Sequence, residues 1–333
     1  MKIIVDGRVL THKKTTGVEI HAVNLIKELE KYIDLDIARP KFYNKYYAHF
    51  WEHFILPILA LRYDILFCPS NIAPIFLSRR VKLIHTLHDI SFMDIPENYS
   101  NLFQKYYSFI VPKNLKRANR IITVSKYAKA SISNKFHFTE NKILYIYNGI
   151  NHNLIKKEQL KKENYILFVG SLSKIKNYKA VIEAYKLLSN KKIKLKMVMP
   201  SVKSLPYNLD ISSDIEYIDF LEQEKLFSLY KKAKLFIYPS LYDSFGLPVL
   251  EAMACGTLVI TSNVASLPEV GGGAVVYCDP YSVEDIKQKI ELVLSDEALQ
   301  KQMVQKGLAR AKEFSWEKSA QEHIKVFQEV MKS

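Results

Sequence analysis

Pro239-Ser240-Leu241-Tyr242-Asp243-Ser244-Phe245-Gly246-Leu247-Pro248-Val249-Leu250-Glu251-Ala252-Met253-Ala254-Cys255-Gly256 is the stretch on which the reading of this chain turns. The apolar run Leu235 to Tyr238 before it reads as a strand. Pro248 suits the first helical position, because its missing N–H would have no intrahelical partner there. The N–H groups of Phe245, Gly246 and Leu247 are then expected to be free and to point out of the helix end, where partial positive charge favours an anion such as a diphosphate. Gly246 would let that backbone come close to a ligand. Asp243 and Glu251 stand eight positions apart, before the turn and in the first turn of the helix. Two readings of the pair are open: they flank one bound molecule and accept hydrogen bonds from its paired hydroxyls, or Asp243 merely caps and Glu251 merely complements the helix dipole.

The 333 residues are enough for two domains with cores of their own, and 48% apolar with 25% charged residues is the balance of a soluble globular protein. Cys68, Cys255 and Cys278 are odd in number and sit in apolar runs, which reads as buried thiols in a reducing cytoplasm and not as a disulfide frame or metal knot. Lys2 to Asp6 looks like a first strand and not a leader. No run approaches the length of a membrane span, so a cytoplasmic location is expected. The net charge is +14, unevenly placed: residues 1–160 hold 24 Lys+Arg against 13 Asp+Glu, a surplus of 11, and residues 161–333 hold 24 against 21, a surplus of 3. An anionic membrane surface or a phosphorylated acceptor fits a basic first half. No helix-turn-helix, zinc or RNA-binding signature is present, which sets nucleic acid aside.

In chain order, short apolar runs alternate with helical or loop segments. Lys2 to Val5, Asp64 to Cys68, Leu83 to Leu87, Ile121 to Val124 and Ile143 to Ile146 predict a first parallel sheet. The loop through Lys13, Thr15 and Gly17 enters a helix whose apolar residues recur at helical spacing. Without G-x-G-x-x-G, that turn is no dinucleotide site. Phe42, Tyr43 and the residues up to Tyr63 mix aromatics with cations, which suits a membrane interface or, equally, a packed helix that Pro57 interrupts. His88-Asp89 closes a strand, where ligands are expected. A lapse into Lys156, Lys157, Lys161 and Lys162 marks the linker. Tyr165 to Val169 opens a second series, continued by Leu195 to Met199, Ile215 to Ile218, Leu235 to Tyr238 and Leu258 to Ile260. After the first of these strands, Gly170-Ser171 begins a loop with Lys174 and Lys176, and a lysine near a helix start can meet a leaving diphosphate.

The opening stretch resembles the E-x7-E signature of the retaining nucleotide-sugar glycosyltransferases of the GT-B fold, of the family 4 (group 1) type, with Asp243 in place of the first Glu. His88-Asp89-Ile90-Ser91-Phe92 with Pro96-Glu97, Asn148-Gly149 and Ser266-Leu267-Pro268-Glu269-Val270 resemble further family stretches. The resemblance covers nearly the whole chain. It implies an α/β protein with two Rossmann-like parallel-sheet domains facing across a cleft: residues 1–155 for the acceptor, 163–313 for the nucleotide-sugar, and a helix from 314 to 333 crossing back. It implies that Gly17 lies near the donor phosphates and acceptor, that His88 contacts the transferred sugar, that Lys176 binds phosphate and that Glu251 holds ribose hydroxyls while Asp243 holds the donor sugar. Ile175 stands where the family has arginine, and Lys174 is a candidate for the second charge. Asp219-Phe220-Leu221 falls where the family has a loop near the nucleobase. His88 and Asp243 are the expected catalytic residues; Gly17, Ser171, Lys176, Ser244, Phe245, Gly246, Leu247 and Glu251 are expected to bind the donor. No cofactor or metal is expected, since amides and Lys176 would carry the charge; Asp34-Leu35-Asp36 is an accidental match to a metal motif. The implied activity is retaining hexosyl transfer to a lipid-linked or cell-envelope saccharide such as lipopolysaccharide or capsule. A catalytically inactive donor-binding subunit and a sugar-nucleotide epimerase are the alternatives.

Overall fold

Two parallel sheets, each of six strands among the described residues, organise the chain. The computed structural model describes residues 1–11, 16–41, 44–151, 160–189, 192–199, 213–219 and 221–332; Lys13, Thr15, Phe42, Tyr43, Lys156, Lys157 and Phe220 lie outside them. The chain divides into two units, Met1–Gly149 with Trp316–Ser333, and Ile150–Ser315.

The first unit holds β1 (Ile3–Asp6), β2 (Asp36–Ala38), β3 (Ile65–Cys68), β4 (Lys82–Thr86), β5 (Arg120–Thr123) and β6 (Ile143–Tyr145), in the order β2-β1-β3-β4-β5-β6. Side chains alternate across a strand, so Ile3, Val5, Ile65 and Phe67 enter one core while Ile4, Leu66 and Cys68 enter another on the opposite face. Helices cover both faces, which is why β1 and β3 are fully buried and, Asp6 at the end of β1 apart, apolar. The helix Trp316–Lys332 packs on the helix Gly17–Leu29, burying Ala320, His323, Phe327 and Val330 at three- and four-residue spacing. Full burial of Phe327 alone contributes about 2–3 kcal/mol.

Pro57 does not interrupt its helix as the sequence suggests. The segment runs Lys45–Phe50, a π-helical turn Trp51–Ile55, then Leu56–Ala60. The Leu56 amide donates to the Trp51 carbonyl, five residues back. That wider turn accommodates the proline, which has no amide to give and a ring that crowds the preceding turn.

The second unit holds β7 (Glu163–Val169), β8 (Lys194–Val198), β9 (Ile215–Ile218), β10 (Ala233–Tyr238), β11 (Leu258–Ser262) and β12 (Val276–Cys278), in the order β12-β11-β10-β7-β8-β9. Each sheet therefore has one place where the strand order reverses, between β1 and β3 and between β7 and β10. Loops leaving the carboxyl ends of those strands diverge, and the crevice they leave is where open α/β sheets bind ligands. Cys68, Cys255 and Cys278 are buried free thiols.

Candidate active site

At the β7/β10 reversal two loops are fastened together. The Ile175 carbonyl accepts from the Leu241 amide at 2.8 Å and from Ser240 Oγ at 3.0 Å. Asn177, left-handed at φ 55°, donates from its side-chain amide to the Pro239 and Pro280 carbonyls at 3.1 and 2.7 Å. This lacing carries Lys176 onto Asp243: Nζ donates to Oδ2 at 2.7 Å and sits 5.1 Å from the centroid of the Tyr238 ring. The Tyr238 hydroxyl donates to the same oxygen at 2.7 Å. Burial works against ionising Asp243, but Lys176, Tyr238 and the Phe245 amide outweigh it and hold the carboxyl below its usual range. Burial likewise works against the Lys176 ammonium, and Asp243 outweighs it, so the lysine titrates above its usual range. At neutral pH the pair is charged on both sides.

The amides at the helix start are not all free, as the sequence reading expects. Phe245 and Gly246 donate to Asp243 Oδ1, at 3.2 and 2.9 Å. A short side chain two and three residues ahead of these donors folds back onto them, so Asp243 takes up two of the three amides. Gly246 has φ 93°, and a Cβ there would lie 2.6 Å from Leu267 Cδ2. The glycine thus serves the turn and its packing. Pro248 is the second residue of the helix Leu247–Ala254. Phe245 is buried with its ring edge-on to Phe314, while Ser244 and Leu247 are half-buried. Ser171 is exposed, its hydroxyl 3.0 Å from that of Ser173. Ser266 of the S-L-P-E-V stretch donates to the Asp243 carbonyl at 2.8 Å and so steadies the loop from behind.

Glu251 lies beyond the first helical turn, which removes the dipole explanation for it. It is 7% exposed, and burial raises its carboxyl to about 7. The Tyr230 hydroxyl is beside it, outside hydrogen-bond geometry. Near neutral pH this carboxyl is therefore poised between its neutral and charged forms.

In the first unit, His88 follows β4, its amide donating to Asn71 Oδ1 at 2.8 Å and its Nε2 lying 3.2 Å from the Pro69 carbonyl. Contact with a carbonyl places the proton on Nε2 and leaves Nδ1 as an acceptor. Burial lowers the pKa, so the ring is neutral. His21, from the helix after β1, meets it edge-on with centroids 4.7 Å apart, and His21 Nδ1 is 2.7 Å from Asn148 Oδ1. Gly17 begins that helix, and the space where its Cβ would stand is open. No spacing in the sequence links His21, His88 and Asn148, which follow β1, β4 and β6; the folding of the first sheet brings them together.

A second group escapes sequence reasoning at the end of β1. Arg8 Nε lies 3.1 Å from Glu52 Oε2, both deeply buried, beside Asp6. Burial, with the Glu52 charge behind it, raises Asp6 to about 8. Glu52 falls to about 2, because Arg8 overcomes the effect of its burial. His49, Glu52 and His53 offer ligand atoms within 4.8 Å of one another. Arg8 already supplies positive charge there, so the group does not suit a metal ion.

The sequence pattern described as "Glycosyl transferases group 1" matches residues 151–310, and that of "Glycosyltransferase Family 4" matches residues 32–154. The chain is 31% identical over 272 residues to the O-antigen chain mannosyltransferase B of Escherichia coli, spanning 75% of this chain and 71% of that one. Among solved structures it is similar to the sucrose-phosphate synthase of Thermosynechococcus elongatus, with a TM-score of 0.78, 16% identity and 99% of each chain covered. It is also similar to Anabaena HepE in complex with UDP-glucose, with a TM-score of 0.73, 15% identity, and coverage of 99% of this chain and 100% of that one. At these identities the structural likeness carries the GT-B fold.

Proposed function

The chain belongs to the family 4, group 1 glycosyltransferases, and from that premise we propose that it moves a hexose, with retention, from a nucleoside-diphosphate sugar to a lipid-linked or cell-envelope saccharide. The observation that carries the reading is Lys176 Nζ held 2.7 Å from Asp243 at the strand-order reversal of the second sheet. A diphosphate bound at that reversal meets a preorganised cation in a largely buried setting, where such charges stabilise a transition state far more than in water.

In the reaction the bond from the anomeric carbon to the β-phosphate oxygen breaks, the bond to the acceptor oxygen forms, and the acceptor proton passes to the departing phosphate. Lys176 meets the charge that grows on that phosphate. Asp243, both of whose oxygens are directed into the loop, acts by positioning Lys176 and the turn. Glu251 accepts hydrogen bonds from the ribose hydroxyls. His88, neutral with Nδ1 as acceptor, serves the transferred sugar. Because Lys176 supplies the cation, chelation of divalent metal leaves turnover unchanged.

The E. coli relative, an O-antigen chain mannosyltransferase, makes a mannose donor with an O-antigen acceptor the first pair to test, and the HepE complex makes UDP-glucose the second. The experiment incubates the protein with each donor and acceptor, follows release of nucleoside diphosphate, and reads the anomeric configuration of the product by proton NMR. A product with the donor's configuration supports the proposal. An inverted product, or donor binding without turnover on any saccharide, contradicts it.

A further inference from the structure

We propose that the helical segment Lys45–Ala60 is a docking face for an anionic phospholipid bilayer, lying on the membrane surface without crossing it. A helix of a soluble domain normally turns one apolar stripe inward and a polar face outward. This one is apolar on both sides. Its inner side buries Trp51, Leu56 and Ala60 in the core beneath β1 and β3. Its outer side presents Tyr46, Phe50, Phe54, Ile58 and Leu61, each exposed by half or more, with Tyr46 at 80% and Ile58 at 67%. The intervals of four, four, four and three residues keep them in one row, roughly 24 Å long. Phe50 and Phe54 stack at 5.0 Å, and Phe76, 62% exposed on the loop after β3, joins them 5.3 Å from Phe54. The patch is thus continuous across two segments, and exposed apolar surface of this kind marks an interaction site.

Charge selects the occupant. Exposed Arg62 follows the row directly, and exposed Arg79 and Arg80 stand three and four residues beyond Phe76. Between residues 41 and 88 there are two acidic residues: Glu52, which is buried and paired with Arg8, and Asp64, which lies 3.9 Å from the N-terminal ammonium group. An apolar row flanked in sequence by exposed arginines is complementary to anionic lipid headgroups over acyl chains. A second copy meeting this face by twofold symmetry would set like charges against each other. No helix among the described residues is long and apolar enough to span a membrane, which leaves surface docking as the mode. The inference stands independently of the reaction proposed above.

The test is flotation of the full chain with vesicles of phosphatidylcholine, with and without phosphatidylglycerol, at increasing salt. The protein is expected to float with the anionic vesicles only and to be released as salt rises. The Phe54→Ser/Ile58→Ser variant should lose about tenfold or more in partitioning. Arg79→Ser/Arg80→Ser should lose roughly tenfold and show a flatter salt dependence. All four residues are exposed, so unchanged thermal melting of each variant is the expected control, with Phe76→Ser as a second apolar probe outside the helix. Failure to float with either vesicle, flotation unaffected by the apolar substitutions, or self-association that those substitutions abolish would each overturn the proposal.

Discussion

The two strand-order reversals occupy the same place in their sheets, each with an ion pair, and differ in the groups set around it. At the β7/β10 reversal Lys176 and Asp243 are both ionised, laced by the Tyr238 hydroxyl and two loop amides. At the β1/β3 reversal the charges of Arg8 and Glu52 are paired with each other at the end of β1, and the facing groups beside them are neutral rings, His21 and His88, which burial keeps uncharged. A doubly wound sheet supplies only the crevice. The residues dropped into it distinguish the crevices, and on the proposed function the second unit takes the charged diphosphate and the first the hydroxyl-bearing, uncharged groups.

The sharpest way to break this contrast is to remove the charge on one side. Lys176→Ala is expected to lower kcat/KM by about 10²–10³-fold, the scale seen when one preorganised stabilising group is removed. It should also destabilise the second unit by about 2–4 kcal/mol, since it leaves a buried carboxylate uncompensated. The double variant Lys176→Ala/Asp243→Asn should regain most of that stability and none of the activity, which separates the structural role of the pair from its chemical one. Next in size is Asp243→Asn alone, expected to cost roughly 10–100-fold in kcat with little change in donor affinity, because Lys176 stays but loses its orientation. A pure loss of donor affinity in that variant would return Asp243 to direct contact with the sugar.

Glu251→Gln addresses the donor more gently. Loss of charged hydrogen bonds to ribose should weaken nucleotide binding by about tenfold, measured calorimetrically. The pH dependence has a definite sign. Because the folded value of about 7 lies above the ordinary 4.5, the native state retains a proton that the unfolded chain releases. Glu251 therefore makes stability decline as pH rises from about 4.5 through about 7. Melting curves of Glu251→Gln should lack that component. Donor binding should in turn expel a proton near pH 7, visible as a dependence of binding heat on buffer ionisation. The smallest expected effect is none: EDTA should leave the transfer rate unchanged.

The doubly wound sheets were legible because strands covered on both faces must be apolar throughout, as in Ile3-Ile4-Val5 and Leu235-Phe236-Ile237. The loop after Tyr238 was legible as a site because a glycine and a proline mark the helix start. What escaped was everything set by strand order. Lys176 and Asp243 lie 67 residues apart in sequence, and nothing local says that β7 and β10 are neighbours. The same holds for His21 with His88. The amides of Phe245 and Gly246 differ from the sequence expectation for a local reason: Asp243, short and two and three residues ahead of them, accepts from both. Pro57 misled because a π turn absorbs it.

The measurement that bears most directly on the account is a thermal-shift screen of the wild type and Glu251→Gln against UDP, GDP, dTDP and CMP and their sugar conjugates. A ligand that binds only the native state raises the melting temperature with the logarithm of its concentration over its dissociation constant. The account predicts a clear rise for one nucleotide series and a much smaller one in Glu251→Gln. No rise with any nucleotide, or equal rises in the two proteins, would contradict it.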